Sequence, residues 1–213
     1  MRALTHELKS PVAAIRGAAE LLQDDLPEAD RAVFAGQIEQ QVQRIQRLID
    51  RLLELSKLEQ RQSLLVDAPT SLRDCAEAAI AESQARARQK NVAITLQGDG
   101  GSGPFEAALV ALAVSNLLDN AIDFSPAGST VRVTLAGGRI AVTDAGPGVP
   151  DYALPRLGER FFSTPRPNGE RTGSGLGLAI VRQIMALHHG NLNIVNLDPA
   201  AGPGLRAELN FAI

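Results

Sequence analysis

The chain has 213 residues, 45% hydrophobic and 21% charged, with a net charge of −3; that length and composition suit a soluble globular protein with ordinary cores and exclude disorder. Without a long basic run it has no footprint for a nucleic-acid backbone, and its one cysteine, Cys75, and three histidines leave neither an internal disulfide nor a structural zinc set. It has no run of eighteen apolar residues and no signal-peptide pattern, so the expectation is a cytosolic chain that neither spans a membrane nor is exported.

The first expected element is a helix over 1–24. Leu4, Leu8, Pro11, Ile15, Ala18 and Leu22 recur at steps of four and three, the spacing of a coiled-coil or four-helix-bundle seam. Placing Leu4 and Leu8 at the d and a positions puts His6 at f, the outermost position, where a second protein can reach it. Alone, such a histidine reads more readily as one more polar residue on a wet face. Glu7 follows, a carboxylate able to orient the imidazole or take its proton so that a ring nitrogen attacks as a neutral nucleophile. Ser10 lies one turn on along the same face. Pro11 removes a backbone hydrogen bond and is expected to kink the rod. Met1 stands only five residues before His6, so the seam starts abruptly and the chain is expected to be part of something longer.

Asp24-Asp25-Leu26-Pro27 ends this helix, and a second runs from about Asp30 to Leu58. Its stripe of Ile38, Ile45, Leu48, Leu52 and Leu55 is widened by Val42, Ile49 and Leu53. A lone antiparallel hairpin leaves much of that stripe wet, so pairing with a second copy is the natural solution. Glu59–Ser63 and Asp67-Ala68-Pro69 separate the hairpin from the rest of the chain, with 59–69 the expected hinge. Beyond it, Ser71 caps a helix to about Gln89 and Val92–Gln97 is a strand. A helix covers 105–123, and strands Thr130–Ala136 and Arg139–Asp144 flank Gly137-Gly138, a two-residue hairpin signal. A loop-rich stretch from Ala145 to Ser174 leads into a helix to about His188, then strands near Leu192–Leu197 and Leu205–Ala212. This is an α/β layer, a mixed sheet with helices on one face.

Four segments of that layer carry chemistry. Asn116 and Asn120 lie one turn apart on one helix face, two amides suited to a hard cation and its phosphates. Asp144-Ala145-Gly146-Pro147-Gly148 leaves a strand end, a carboxylate able to accept from an exocyclic amine beside glycines that admit a flat ligand. Gly173-Ser174-Gly175-Leu176-Gly177-Leu178 opens a helix, aiming free N–H groups at an anion. Glu159-Arg160-Phe161-Phe162 begins a loop bearing Arg166 and Arg171. Singly these are weak, and neither the dinucleotide fingerprint nor the P-loop pattern fits. Their order along one chain is specific.

In that order the sequence resembles the cytoplasmic catalytic half of a two-component sensor histidine kinase. HELKSP is similar to the histidine box, NLLDNA to the asparagine box, DAGPG and GSGLGL to the glycine boxes and ERFF to the aromatic box; details such as NAIDFSP and STPRPNG look closest to the CreC type. The resemblance implies a dimerisation and histidine-phosphotransfer hairpin over 1–62, a four-helix bundle in the dimer, followed over 63–213 by an α/β sandwich ATP-binding domain of the Hsp90, MutL and histidine-kinase type. It implies His6 as phosphoacceptor, Glu7 as its acid-base partner and Ser10 in dephosphorylation of a regulator. It further implies Asn120 as a Mg²⁺ ligand, Asn116 as a phosphate contact, Asp144 as the adenine-amine acceptor and Arg171 as a lid residue at the γ-phosphate. Gly146, Gly148, Gly173, Gly175, Leu176 and Gly177 would complete the nucleotide site. The implied partners are ATP, Mg²⁺, a second copy of the chain and a cognate response regulator, in the cytoplasmic part of a membrane-anchored sensor whose catalytic fragment touches neither membrane nor nucleic acid.

Some positions depart from that pattern. Asp123 stands where many relatives carry Lys or Arg, which would shift a phosphate-binding role to Arg160 or Arg171. Ser10 replaces the commoner Thr or Asn and keeps a hydroxyl. His188 and His189 read as turn residues. Phe124 stands open between stacking on adenine and lying in the core. Two other classes of function stay in view: an ATP-driven clamp without phosphotransfer, and a scaffold dimer with a degenerate pocket.

Overall fold

A computed structural model describes residues 2–164, 173–198 and 202–212, and divides the chain into two units, Met1–Ser56 and Lys57–Ile213. The first is a helical hairpin. Helix α1 spans Arg2–Leu21 and runs through Pro11; helix α2 spans Glu28–Gln60, and its last turn belongs to the second unit. Pro27 supplies the carbonyl that receives the N–H groups of Asp30 and Arg31 at 3.0 and 3.1 Å, and Glu28 and Asp30 place negative charge at the positive end of the α2 dipole. The inner stripe folds as the spacing predicts: Pro11, Ala18, Leu48 and Leu55 are buried. Val42, Ile49 and Leu53 stay 41–55% exposed within the single chain, so the widened stripe has nothing of its own to cover it. Across the hairpin, Arg44 Nη2 donates to Glu7 Oε2 at 3.3 Å.

The second unit carries strands β1 (Thr70–Ser71), β2 (Ala93–Asp99), β3 (Ser102–Gly103), β4 (Thr130–Ala136), β5 (Arg139–Thr143), β6 (Asn191–Asn196) and β7 (Leu205–Asn210), with helices α3 (Leu72–Gln89), α4 (Ala107–Phe124) and α5 (Gly177–Leu187). Five strands form one sheet in the order β2-β4-β5-β7-β6, parallel at β2–β4 and antiparallel elsewhere. Gly137 and Gly138, with φ of 47° and 72°, make the tight turn that pairs Ala136 with Arg139. Along β4, Val131, Val133 and Leu135 are buried while Thr130, Arg132 and Ala136 are exposed; the helices cover one face of the sheet, as alternation predicts. The small β1–β3 sheet and a 3₁₀ turn at Leu154–Arg156 have no counterpart in the sequence reading. Both are too short to leave a periodic signature.

Helix α4 is the centre of this layer. It has the length and apolar composition of a membrane-crossing helix, yet it packs against α3, α5, β4 and β5, with Val110, Ala113, Val114, Leu118 and Ile122 fully enclosed. Its polar residues fall on the remaining face. One of them is Asp123, which breaks the family pattern, and its side chain is 2% exposed. It receives Arg86 Nη2 of α3 at 2.5 Å and Nε at 3.2 Å on the same Oδ1, with Lys90 Nζ, just past the end of α3, at 3.9 Å. Two cations therefore neutralise a carboxylate that the apolar surroundings would penalise. Arg86→Ala removes the closest cation from that buried charge, and is expected to destabilise the second unit by about 1–2 kcal/mol. Urea denaturation of the two proteins checks it; coincident midpoints would contradict the role given to this pair.

Candidate nucleotide and phosphoacceptor sites

The end of β5, the end of α4 and the start of β7 converge on Asp144. Its carboxylate is buried, and its Oδ1 accepts the N–H groups of Gly146 at 2.8 Å and Leu205 at 3.2 Å. Among the described residues no donor reaches Oδ2, which is left for a ligand. Burial pushes the Asp144 carboxyl above the usual carboxylate range, against the opposing pull of the two backbone N–H groups. Gly146 is glycine for a steric reason. A Cβ there would lie 2.7 Å from the Phe124 carbonyl oxygen, so the loop and the end of α4 approach as closely as backbones can. Phe124 is half-buried at this edge.

Asn116 is 6% exposed, with its Nδ2 donating to Leu112 O at 2.9 Å, while Asn120, one turn further, is half-buried. At α5, Gly173 and Gly177 are half-buried and Leu176 is fully enclosed, its carbonyl accepting the Ile180 N–H at 2.9 Å. No side chain caps this helix among the described residues, so its first N–H groups remain for an anion. Gly175 takes a φ of +66°, and a Cβ on it would come 2.5 Å from the carbonyl carbon of Phe161. The Phe161 N–H in turn donates to Gly175 O at 3.0 Å, from a φ of +64° that an aromatic residue adopts only under constraint. The aromatic and glycine segments are thereby locked together. Arg156 lies over the Phe162 ring at 4.1 Å.

Four of the expected site residues, Arg160, Arg171, His6 and Glu7, stand as follows. Arg160, a candidate for phosphate, pairs with Glu59. Arg171 and the His6 side chain lie outside the described residues, although the backbone at His6 is helical, with Ser10 exposed on the same helix. Glu7 is held by Arg44 on α2, a partner 37 positions away that helical spacing does not indicate. Sequence reasoning also missed Asn196, whose carboxamide accepts from Val149 N–H at 2.8 Å and donates to Val149 O at 2.7 Å, pinning the loop that contains Gly148. His188 is a buried turn residue: its Nδ1 donates to Ile184 O at 2.8 Å, so Nε2 accepts the Glu106 N–H at 3.2 Å. Burial lowers its affinity for a proton.

Comparison with known proteins shows the same division. Residues 106–212 match the histidine kinase-, DNA gyrase B-, and HSP90-like ATPase family, and residues 1–61 match the His Kinase A (phospho-acceptor) domain. The sensor protein CreC of Escherichia coli K12 is 40% identical over 203 residues, covering 92% of this chain and 42% of CreC; the chain thus spans less than half the length of that relative. The solved cytoplasmic segment of histidine kinase QseC is 30% identical, with a TM-score of 0.55 over 80% of this chain and 94% of that one. Histidine kinase ThkA, solved in complex with response regulator protein TrrA, shares the fold at 18% identity, with a TM-score of 0.77 over 97% of this chain and 58% of that one.

The raised Asp144 carboxyl carries a stability consequence. A group whose folded pKa lies above its unfolded value adds stability below the unfolded pKa and loses it as pH rises through the folded one. At neutral pH the buried charge is therefore a cost to the ligand-free protein. Asp144→Asn keeps the acceptor Oδ1 and removes the charge, so it is expected to raise the urea midpoint of ligand-free protein at pH 7–8, with the gap narrowing toward pH 5. A lower midpoint at pH 7 for the Asn variant would contradict this.

Proposed function

We propose that this chain, which belongs to the sensor histidine kinases, transfers the γ-phosphoryl group of ATP to its own His6 and passes it on to an aspartate of a response regulator. The carrying observation is the buried Asp144 carboxylate, held through Oδ1 by the Gly146 and Leu205 N–H groups with Oδ2 open, in one chain with matched ATPase and phospho-acceptor domains. We assign the phospho-acceptor role to 1–62 and ATP binding to 63–213.

Asp144 Oδ2 would accept the adenine amine, with Gly146 and Gly148 admitting the ring and Phe124 flanking it. Asn116, the N–H groups from Gly173 through Leu176 to Gly177, and Arg160 and Arg171 would hold the phosphates. Among the described residues no three His, Cys, Asp or Glu side chains cluster as a metal cage. The half-buried Asn120 amide nevertheless suits a cation that takes few protein ligands and draws the rest from phosphates and water. Mg²⁺ held there would neutralise charge on the triphosphate.

Phosphoryl transfer depends on positioning and charge more than on covalent help. A neutral His6 ring nitrogen forms the N–P bond as the bond from the γ-phosphorus to the bridging oxygen breaks, and ADP leaves with that electron pair. The proton on the other ring nitrogen passes to the Glu7 carboxylate, which Arg44 holds across the hairpin. In the second step the N–P bond breaks as a regulator carboxylate takes the phosphoryl group. The exposed stripe of Val42, Ile49 and Leu53 supports a homodimer built through the hairpin, and the likeness to the ThkA complex supports a regulator docked on it. Similarity to the QseC cytoplasmic segment supports a cytoplasmic location.

His6→Gln is expected to take no acid-labile label from γ-labelled ATP while binding nucleotide within about twofold of the parent, because acceptor and pocket belong to different units. Label persisting on the variant would defeat the assignment. Ser10, exposed one turn from His6, is placed to hydrogen-bond a water approaching a phosphorylated regulator. Ser10→Ala should keep autophosphorylation and slow regulator dephosphorylation about 100-fold, the lower end of what one positioned proton-transfer group contributes. A dephosphorylation time course that matches the parent would remove Ser10 from the mechanism.

A further inference from the structure

The segment expected to be a free hinge is tied down within the second unit. Arg61 donates to Glu106 through both arms of its guanidinium, Nη1 to Oε1 at 2.8 Å and Nη2 to Oε2 at 2.7 Å, and the Leu65 N–H reaches the same Oε2 at 2.8 Å. Glu59 pairs with Arg160, and Gln183 Nε2 of α5 donates to Leu58 O at 3.4 Å. Glu106 is the residue that caps α4, the helix of Asn116 and Asn120, and its backbone N–H is taken by His188 at the end of α5, the helix opened by the glycine segment. One residue, Glu106, therefore joins the linker through its carboxylate to the start of α4 and, through its backbone N–H, to the end of α5.

The tie is polar where a permanent one would be packed. Leu65 is 72% exposed and Val66 37%, and a cleft of about 370 Å³ separates Gln62, Ser63 and Leu64 from Gln183, Ala186 and Leu187. Leu58, enclosed at 4% exposure, and the half-buried Leu64 add apolar anchorage, and ion pairs and hydrogen bonds supply the other contacts described for this stretch. The Arg61 and Glu106 side chains are 26% and 12% exposed, so a bidentate pair forms out of bulk water yet within reach of it.

We infer that the Arg61–Glu106 pair is a releasable tie through which the linker sets the orientation of α4 and α5, making Arg61 and Glu106 positioning residues for phosphorylation of His6. The inference rests on the kinase reading proposed for this chain. With the tie closed, the free connection between phosphoacceptor and nucleotide is short and directed. With it open, several more residues become flexible and the effective concentration of bound ATP at His6 falls.

The test uses the full chain with Arg61→Ala, Glu106→Gln and the pair of substitutions. Each protein is measured for kcat and KM of autophosphorylation, for affinity toward a fluorescent ATP analogue, and for amide hydrogen exchange at Leu65. Both single variants are expected to lose Leu65 protection and about tenfold in kcat with KM and affinity within twofold, Arg61→Lys to recover part of the rate, and the double variant to be no slower than either single. Lost protection with an unchanged kcat overturns the inference, as does a rise in KM that matches the loss in kcat, which would mean that the pocket itself had been distorted. Leu65 unprotected in the parent shows that the tie does not form in solution. A parent that binds ATP and takes no label defeats the kinase reading, and the exchange data then report on the tie independently.

Discussion

Two carboxylates, Glu106 part-buried and Asp123 buried, hold the ends of α4 in place, and the second unit depends on them. At the helix start, Glu106 is clasped by Arg61 and by the Leu65 amide, with its own N–H on His188. At the other end, Asp123 is neutralised by Arg86 of α3 and by Lys90 just beyond it. Between them runs a helix whose inner face is apolar and enclosed, so its rotation about its own axis is fixed by packing and its ends by charge. Asn116 and Asn120 lie one turn apart on that helix, Asn116 buried and Asn120 half-buried.

The pocket is built at some expense to stability. Asp144 keeps a desolvated carboxylate with one oxygen open, and Phe161 sits in a backbone conformation that the Gly175 contact imposes. Both features lie at the mouth of the site. A ligand amine on Asp144 and phosphates at α5 would relieve what the empty protein tolerates, so ligand binding and local order are linked. The hairpin shows the same economy: its outer stripe is left apolar and exposed, stable only when something covers it.

Regular elements were legible in the sequence because they repeat. The four-and-three spacing of α1, the Gly137-Gly138 turn and the alternation of β4 each fix a structure locally, and motif order singled out Asp144, the glycine segments and both asparagines as candidates. Pairings between distant positions were not legible. Arg44 with Glu7, Arg61 with Glu106, Arg86 with Asp123 and Asn196 with Val149 join residues far apart in the chain, and each partner taken alone is an ordinary surface residue with no period to betray it. Asp123 illustrates the limit. Its identity could be seen to break a pattern, but only the fold reveals that α3 supplies the cations it attracts. Arg160, expected at phosphate, is paired with Glu59 for the same reason: a charge finds its nearest partner in space.

The central claim is that one chain carries both the pocket that binds ATP and the histidine that receives its phosphoryl group. Mapping answers it most directly: the protein is incubated with ATP labelled at the γ-phosphate, digested under alkaline conditions that preserve phosphohistidine, and its labelled peptides identified by mass spectrometry. The account predicts label confined to the peptide containing His6, with none transferred from ATP labelled at the α-phosphate. Label on another residue, or release of inorganic phosphate with the protein left unlabelled, would contradict it.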